Sequence, residues 1–165
     1  MVKTDISHGE YEQRSKILME RMRKAQIDAL YLSNPNRIFY VTGCPYIMIT
    51  GMARPFGLLF TAEGSKTLIL PALEAQQVLK DKPSGVEEIV SYWEYPGTPH
   101  VYDTIVDVFK KNRLLDKKVG IDGSALPDIV GVTDQPIQKC LPNVKFVPSK
   151  MLIDEMRVTK SAEEI

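Results

Sequence analysis

Hydrophobic and polar positions along the chain follow the helical period in some stretches and form the short apolar runs of buried strands in others. Residues 10–26 place Ile17, Leu18, Met22 and Ala25 near one face of a predicted helix, with charged side chains elsewhere. Runs rich in aliphatic, β-branched and aromatic residues, bounded by turn-forming residues, predict strands. The predicted strands are residues 27–33, two segments within 56–71, and residues 86–92, 117–123 and 143–149.

Helical patterns fill most of the intervals between the predicted strands. Residues 100–112 turn Val101, Ile105, Val108 and Phe109 to one side, which is typical of an amphipathic helix. The other helical stretches are residues 72–80, an irregular stretch over 125–141 that is interrupted near Pro136, and residues 150–158 as a short helix or turn.

This alternation of strands and helices predicts the fold class, a three-layer α/β/α domain. Glu63 and Gly64 separate two apolar strands and suit a tight hairpin turn, so one strand pair is antiparallel and the sheet is mixed. Residues 34–36 (NPN) are predicted to form a turn. Residues 37–43 fit either a short strand or a helical turn.

Composition and charge narrow the possible partners. The chain has 165 residues, 44% of them hydrophobic and 25% charged, as in an ordinary globular domain. Its 21 basic and 21 acidic side chains balance, which argues against general nucleic-acid binding. The sequence has no apolar run long enough to span a membrane and no signal-peptide pattern at its start, so we expect a cytoplasmic protein.

Few residues are suited to catalysis. Cys44 and Cys140 form no CxxC pattern and are interpreted as reduced thiols. His8 and His100 are interpreted as surface or helix-capping residues, and Ser124 as a helix cap within a turn. We therefore predict neither catalytic residues nor metal ligands in this chain.

Two unusual segments stand out. Residues 40–57 link apolar elements through a long segment with three glycines, two prolines and Arg54. The guanidinium of Arg54 is suited to hold a carboxylate, but the residue alone favours an exposed arginine beside a rigid turn. Residues 91–100 cluster Trp93 with tyrosines, which suits either packing onto the core or an interface.

The final residues predict the start of a helix. Ser161 and Glu164 have the spacing of a capping box, in which each side chain satisfies a free backbone N–H at a helix start.

In order, the segments RSKILMERMRKAQIDALYLSNP, NRIFYVTG, FGLLFTAEGSKTLILPALE and IDEMRVTKSAEEI resemble the N-terminal domain of the creatinase/prolidase group, which includes Xaa-Pro dipeptidases and aminopeptidase P. The sharpest parts are residues 40–43, a Tyr-hydrophobic-Thr-Gly motif, and residues 157–165, an R-x-x-K-S-x-x-E-I motif. There is one departure. The group often has an Asn three residues before Tyr40, where this chain has Arg37, and Asn36 lies one position earlier.

The resemblance implies a division into domains. Residues 1–155 would form the N-terminal domain, and residues 156–165 would begin the linker or helix into a C-terminal catalytic domain of pita-bread fold outside this sequence. In that group the catalytic domain binds two divalent metal ions, commonly manganese, cobalt or zinc, and a metal-activated water attacks the peptide bond before proline. A fragment without those ligands is expected to be inactive.

The resemblance also implies the role of this domain. We expect it to mediate dimerisation and gate substrate in a metal-dependent Xaa-Pro peptidase, with its own catalytic domain, a second subunit and a proline-containing peptide as partners. In the creatinase branch an Arg ahead of an aromatic-Gly pair helps hold the substrate carboxylate, and residues 54–57 (RPFG) match this pattern. Arg54 is therefore a candidate substrate-binding residue, in its own subunit or across a dimer interface, and Tyr46 and Ile47 are further candidates. The alternatives are the front domain of a creatinase-like amidinohydrolase or other non-peptidase hydrolase, and a stand-alone peptide-binding module without catalysis.

Overall fold

A six-stranded mixed sheet forms the centre of the computed structural model, which describes residues 6–50, 57–99, 101–123 and 137–165. The strand order is β4-β3-β2-β1-β5-β6. β2 runs antiparallel to β1 and β3, whereas the other neighbouring pairs are parallel. The strands are β1 (Ala29–Leu32), β2 (Gly57–Thr61), β3 (Lys66–Pro71), β4 (Glu88–Tyr92), β5 (Lys118–Ile121) and β6 (Lys145–Pro148).

Apolar side chains cover both faces of this sheet. Along β1, Leu30 and Leu32 point into one buried cluster and Ala29 and Tyr31 into another, as the two-residue period of a strand requires. The mixed α/β fold class is confirmed. In the described residues the helices are α1 (His8–Lys24), α2 (Pro35–Thr42), α3 (Pro45–Thr50), α4 (Ala72–Asp81), α5 (Val101–Lys111), α6 (Ile137–Cys140) and α7 (Met151–Val158).

Several local predictions are confirmed. The β2–β3 hairpin turns at Gly64, whose φ of 102° lies in the region that favours glycine. In α5, Val101, Ile105, Val108 and Phe109 are all buried, as their spacing predicts.

The segment after β1 differs from its prediction. Residues 34–36 do not form a separate turn, because Asn34 caps α2 and Pro35 occupies its first turn. The Asn34 side chain accepts a hydrogen bond from the Arg37 backbone N–H at 3.3 Å, and residues 37–42 continue as a helix rather than a strand, with Gly43 as the C-cap. The predicted long connection after it contains a second short helix, α3.

Two further points concern single residues. Ile17, predicted near one face of α1 with Leu18 and Met22, is 36% exposed, whereas Leu18 and Met22 are fully buried. Arg54, His100, Ser124 and most of the irregular stretch 125–141 lie outside the described residues. Within the part of the chain that the structure describes, no helix is both long and apolar enough to cross a membrane.

The topology brings several strand ends together. Because β1, β5 and β6 are parallel, their carboxyl ends lie at one edge of the sheet, and the antiparallel β2 begins there at Gly57. Residues 51–56 therefore connect α3 to this edge, which we call the carboxyl edge.

Candidate functional site

The predicted substrate-binding residues belong to one short segment. Tyr46 and Ile47 lie on α3, directly before the residues that contain Arg54. Ile47 is fully buried in the core cluster, whereas Tyr46 is partly exposed. Tyr46 is thus the described candidate that presents side-chain surface on this segment.

Two carboxylates of α4 hold the start of α3. The Tyr46 hydroxyl donates to Glu74 Oε2 at 2.5 Å, and the Tyr46 backbone N–H donates to Asp81 Oδ2 at 3.1 Å. The second bond satisfies a backbone donor that the first turn of a helix leaves free. α4, which follows β3 directly, therefore holds the start of α3 through two hydrogen bonds to Tyr46.

Cys44 contacts the same carboxylate. Its thiol is buried and donates to Asp81 Oδ2 at 3.4 Å. Burial, followed by the charge of Asp81, raises the pKa of the Cys44 thiol to about 12. The thiol is consequently protonated at neutral pH and unsuited to act as a nucleophile. Cys44 and Cys140 form no disulfide.

A close approach of backbone to an aromatic ring fixes the other end of this segment. Gly57, the glycine of the RPFG motif, packs against Tyr31, and a Cβ at this position would lie 2.2 Å from the Tyr31 hydroxyl oxygen. Only glycine fits here without displacing the ring, which is 1% exposed. The chain thus enters β2 at Gly57, a position where the Tyr31 ring leaves no room for a larger residue.

Arg14 connects α1 to the motif at residues 40–43. It is 3% exposed, and its guanidinium lies over the rings of Tyr40 and Tyr11, 4.2 and 5.0 Å from their centroids. Its Nη1 donates to the Tyr40 carbonyl oxygen at 3.1 Å and its Nε to Glu10 Oε1 at 3.1 Å. A buried arginine in this setting stabilises the motif through hydrogen bonds and cation–π contacts.

Asp122 organises the carboxyl edge of the sheet. Its Oδ1 accepts from the Ser33 backbone N–H at 2.9 Å and from the Ser33 hydroxyl at 3.1 Å, and its Oδ2 accepts from the Asn34 backbone N–H at 3.0 Å. The buried carboxylate therefore ties the end of β5 to the connection between β1 and α2. Three donors supply the hydrogen bonds that a buried charge requires.

Arg37 extends this network to α7. Its Nε and Nη2 donate to the two carboxylate oxygens of Asp154 at 2.9 and 2.8 Å, and its Nη1 donates to the Asp122 carbonyl oxygen at 3.2 Å. The hydrogen bond with Arg37 lowers the pKa of the Asp154 carboxyl and raises the pKa of the guanidinium. This bidentate pair is a structural clamp between α2 and α7.

Lys66 is an unusual residue of the core. It is 3% exposed, and its ammonium donates to the carbonyl oxygens of Ser84 at 3.1 Å and Val41 at 3.4 Å. Burial lowers the pKa of Lys66 to about 8.

No group of His, Cys, Asp and Glu side chains within the described ranges is arranged to hold a metal ion.

Comparison with known proteins identifies the family. The model of the creatinase/prolidase N-terminal domain matches residues 14–159. The chain belongs to the creatinase/prolidase N-terminal domain family. A relative described as an uncharacterized hydrolase/peptidase, y4tM of Sinorhizobium fredii, is 28% identical over 164 residues. This match covers 97% of the chain but 41% of the relative, so the chain spans about two fifths of that protein's length.

Solved structures show the same fold at lower sequence identity. A prolidase from Thermococcus sibiricus gives a TM-score of 0.73 at 20% identity over 93% of this chain and 38% of that one. A dipeptidase from Pyrococcus horikoshii gives 0.69 at 19% identity over 91% of this chain and 38% of that one. An Xaa-Pro aminopeptidase structure from Streptococcus pyogenes gives 0.65 at 18% identity and is covered completely, with 92% of this chain aligned.

The structure shows what Arg37 does at the position where the creatinase/prolidase group often has an Asn. Asn36 is exposed, while Asn34 makes the helix cap and Arg37 holds α7 through Asp154. Sequence reasoning missed Arg14, Asp122 and Lys66. The available signal was the position of Asp122 near the end of a predicted strand, but nothing in the pattern identified its partners.

Proposed function

We propose that this chain is the N-terminal, non-catalytic domain that mediates dimerisation and gates substrate in a metal-dependent Xaa-Pro peptidase. The observation that carries the proposal is the extent of the family match. Almost the whole chain matches the family's N-terminal domain, yet it covers only 41% of a hydrolase/peptidase relative and 38% of a prolidase and a dipeptidase chain. These proportions are expected when a second domain supplies the chemistry.

The metal ions belong to that second domain under this proposal. The described residues lack a suitable group of ligands for a pair of manganese, cobalt or zinc ions. Bound in a catalytic domain, such ions would supply a water activated for attack on the peptide bond before proline. Under this proposal the present chain only binds and positions the substrate.

The anchoring of α3 supports the gating role. Glu74 and Asp81 fix Tyr46 at one end of the segment that contains Arg54, and Gly57 packs against Tyr31 at the other. Both residues that flank the segment are thus held by contacts with the rest of the domain. Arg54 would hold the substrate carboxylate, in its own subunit or in the partner subunit, and Tyr46 would be a further contact to the substrate.

Activity of the full-length protein tests the proposal directly. We expect cleavage of Xaa-Pro dipeptides that is lost on metal chelation and restored by manganese or cobalt, and no cleavage by the 165-residue chain. Hydrolysis of creatine instead would favour a creatinase-like amidinohydrolase. Peptide binding without any hydrolysis would favour the stand-alone module and contradict the proposed peptidase.

Replacing Arg54 tests the gating role. In the full-length protein, Arg54→Ala should lower kcat/KM for Xaa-Pro dipeptides by a factor that corresponds to roughly 1–3 kcal/mol of lost transition-state stabilisation, because a charged hydrogen bond to the substrate is lost. Arg54→Lys should restore only part of it, since an ammonium lacks the planar fork. Arg23→Ala, which removes an exposed arginine of α1, is the matched control. Kinetics of Arg54→Ala equal to those of this control would exclude Arg54 from substrate binding.

A further inference from the structure

Residues near the carboxyl end of the chain lie against the start of α1. The Ser7 backbone N–H donates to Glu163 Oε2 at 2.6 Å, and the Ser7 hydroxyl donates to Glu163 Oε1 at 2.8 Å. Ser7 is also the N-cap of α1. The bonds from Ser7 lower the pKa of the Glu163 carboxyl, as expected for a carboxylate at the positive end of a helix dipole. Both oxygens of Glu163 are thus held by Ser7, the N-cap of α1.

Glu164 contacts α1 through Arg14. Its Oε1 lies 3.4 Å from Arg14 Nη2, and its Oε2 accepts from the Ser161 backbone N–H at 3.0 Å. Arg14 Nη2 is buried and makes no hydrogen bond of its own, whereas the other guanidinium nitrogens donate to Glu10 and Tyr40. Glu164 therefore supplies the negative charge beside the one nitrogen that the remaining contacts leave unsatisfied.

The serine of the predicted capping box contributes less than its spacing suggests. The Glu164 backbone N–H donates to the Ser161 carbonyl oxygen at 3.1 Å, and the Ser161 hydroxyl is buried without a hydrogen-bond partner. Only the glutamate half of the box is formed. Residues 157–160, the last two of α7 and the two that follow it, are all exposed.

We infer that Glu163 and Glu164 act as a latch that docks residues 161–164 onto α1, with Ser7 and Arg14 as its seat. Because the preceding four residues are exposed, these two carboxylates supply the polar contacts that fix the direction of the chain after α7. If a catalytic domain follows, which rests on the proposed function, the latch would also set the direction in which that domain leaves α1.

Amide hydrogen exchange in the 165-residue chain tests the latch. In the double variant Glu163→Gln/Glu164→Gln, the amides of Ser7 and Ser161 should exchange roughly tenfold faster, because their acceptors lose charge and local opening becomes easier. Amides of β1 should be unchanged, which shows that the fold is intact. Glu155→Gln is the matched control, since it removes one exposed carboxylate, paired with Arg21 at 2.8 Å, from the same side of the molecule.

The variant Ser161→Ala tests whether the Ser161 side chain acts as an ordinary helix cap instead. Since the Ser161 hydroxyl has no partner, exchange at residue 161 should stay within about twofold of the unmodified chain. The inference is overturned if Glu163→Gln/Glu164→Gln leaves the exchange rates of the Ser7 and Ser161 amides unchanged. It is also overturned if Ser161→Ala accelerates exchange as much as the double variant does. Neither result depends on peptidase activity, so the latch and the proposed function fail separately.

Discussion

Lys66 shows how one residue couples the stability of this domain to pH. Its ammonium lies in the core, above the ring of Phe60 at 5.5 Å from the centroid and beside two carbonyl oxygens. Removal from water disfavours the charged form, which lowers the pKa of Lys66 from 10.5 to about 8. The folded state therefore releases this proton at a lower pH than the unfolded chain does.

The Lys66 contribution to stability should rise as the pH increases from 8 toward 10. In this window the unfolded chain keeps the Lys66 proton and the folded state loses it, so the part of the free energy of unfolding that Lys66 contributes increases, on the order of 2 kcal/mol. Urea unfolding between pH 7 and 10 measures this change. Cys44 acts in the opposite direction above pH 9, because its thiol pKa is raised to about 12 in the folded state.

Comparing the unmodified chain with Lys66→Met separates the contribution of Lys66 to the free energy of unfolding from that of Cys44. Cys44 titrates in both proteins, so the difference in free energy of unfolding between them should contain only the Lys66 contribution. A difference that stays constant from pH 7 to 10 would show that Lys66 keeps its ordinary pKa when buried.

At the scale of elements, Gly43 determines how α2 ends and packs against α1. Its φ is 69°, and a Cβ there would lie 2.6 Å from ring atoms of Tyr11. Gly43 thus combines two requirements, a left-handed backbone and contact with a buried ring. The Tyr-hydrophobic-Thr-Gly motif ends with glycine for both physical reasons.

Gly43→Ala should therefore destabilise the domain more than a left-handed backbone alone explains. We expect a loss of roughly 2–5 kcal/mol, of which about 1–2 kcal/mol is backbone strain and the remainder displacement of the Tyr11 ring. Gly97→Ala is the matched control, because Gly97 has φ 85° and no atom within 4 Å of a built Cβ. Equal losses for the two variants, measured by urea unfolding, would contradict the role of the ring contact.

The same elements show what the sequence could predict. The hairpin and α5 follow from local pattern, since their turn residue and apolar spacing lie within a few residues of each other. The start of α2 was harder to predict, because Asn-Pro-Asn suits either a turn or a capped helix. Arg37 could not be assigned from pattern, since its bidentate partner Asp154 lies 117 residues away.

For the whole molecule, the decisive feature is that one sheet serves two cores. Neighbouring residues of β2 point to opposite faces, Leu58 and Phe60 into one buried cluster and Leu59 into the other. The two faces therefore share the same backbone, and neither cluster can lose its packing without disturbing the strands beneath the other.

This arrangement predicts a single unfolding transition for both faces. Leu58→Ala and Phe109→Ala each remove a fully buried side chain, from the first and the second cluster respectively. Each should lower the free energy of unfolding by roughly 2–5 kcal/mol. Far-UV circular dichroism and the most slowly exchanging amides of both faces should report the same loss, because the sheet opens as one unit. Leu73→Ala, at an exposed position of α4, is the surface control for both measurements. If slow exchange persists on one face while the other face is destabilised, the two layers unfold independently.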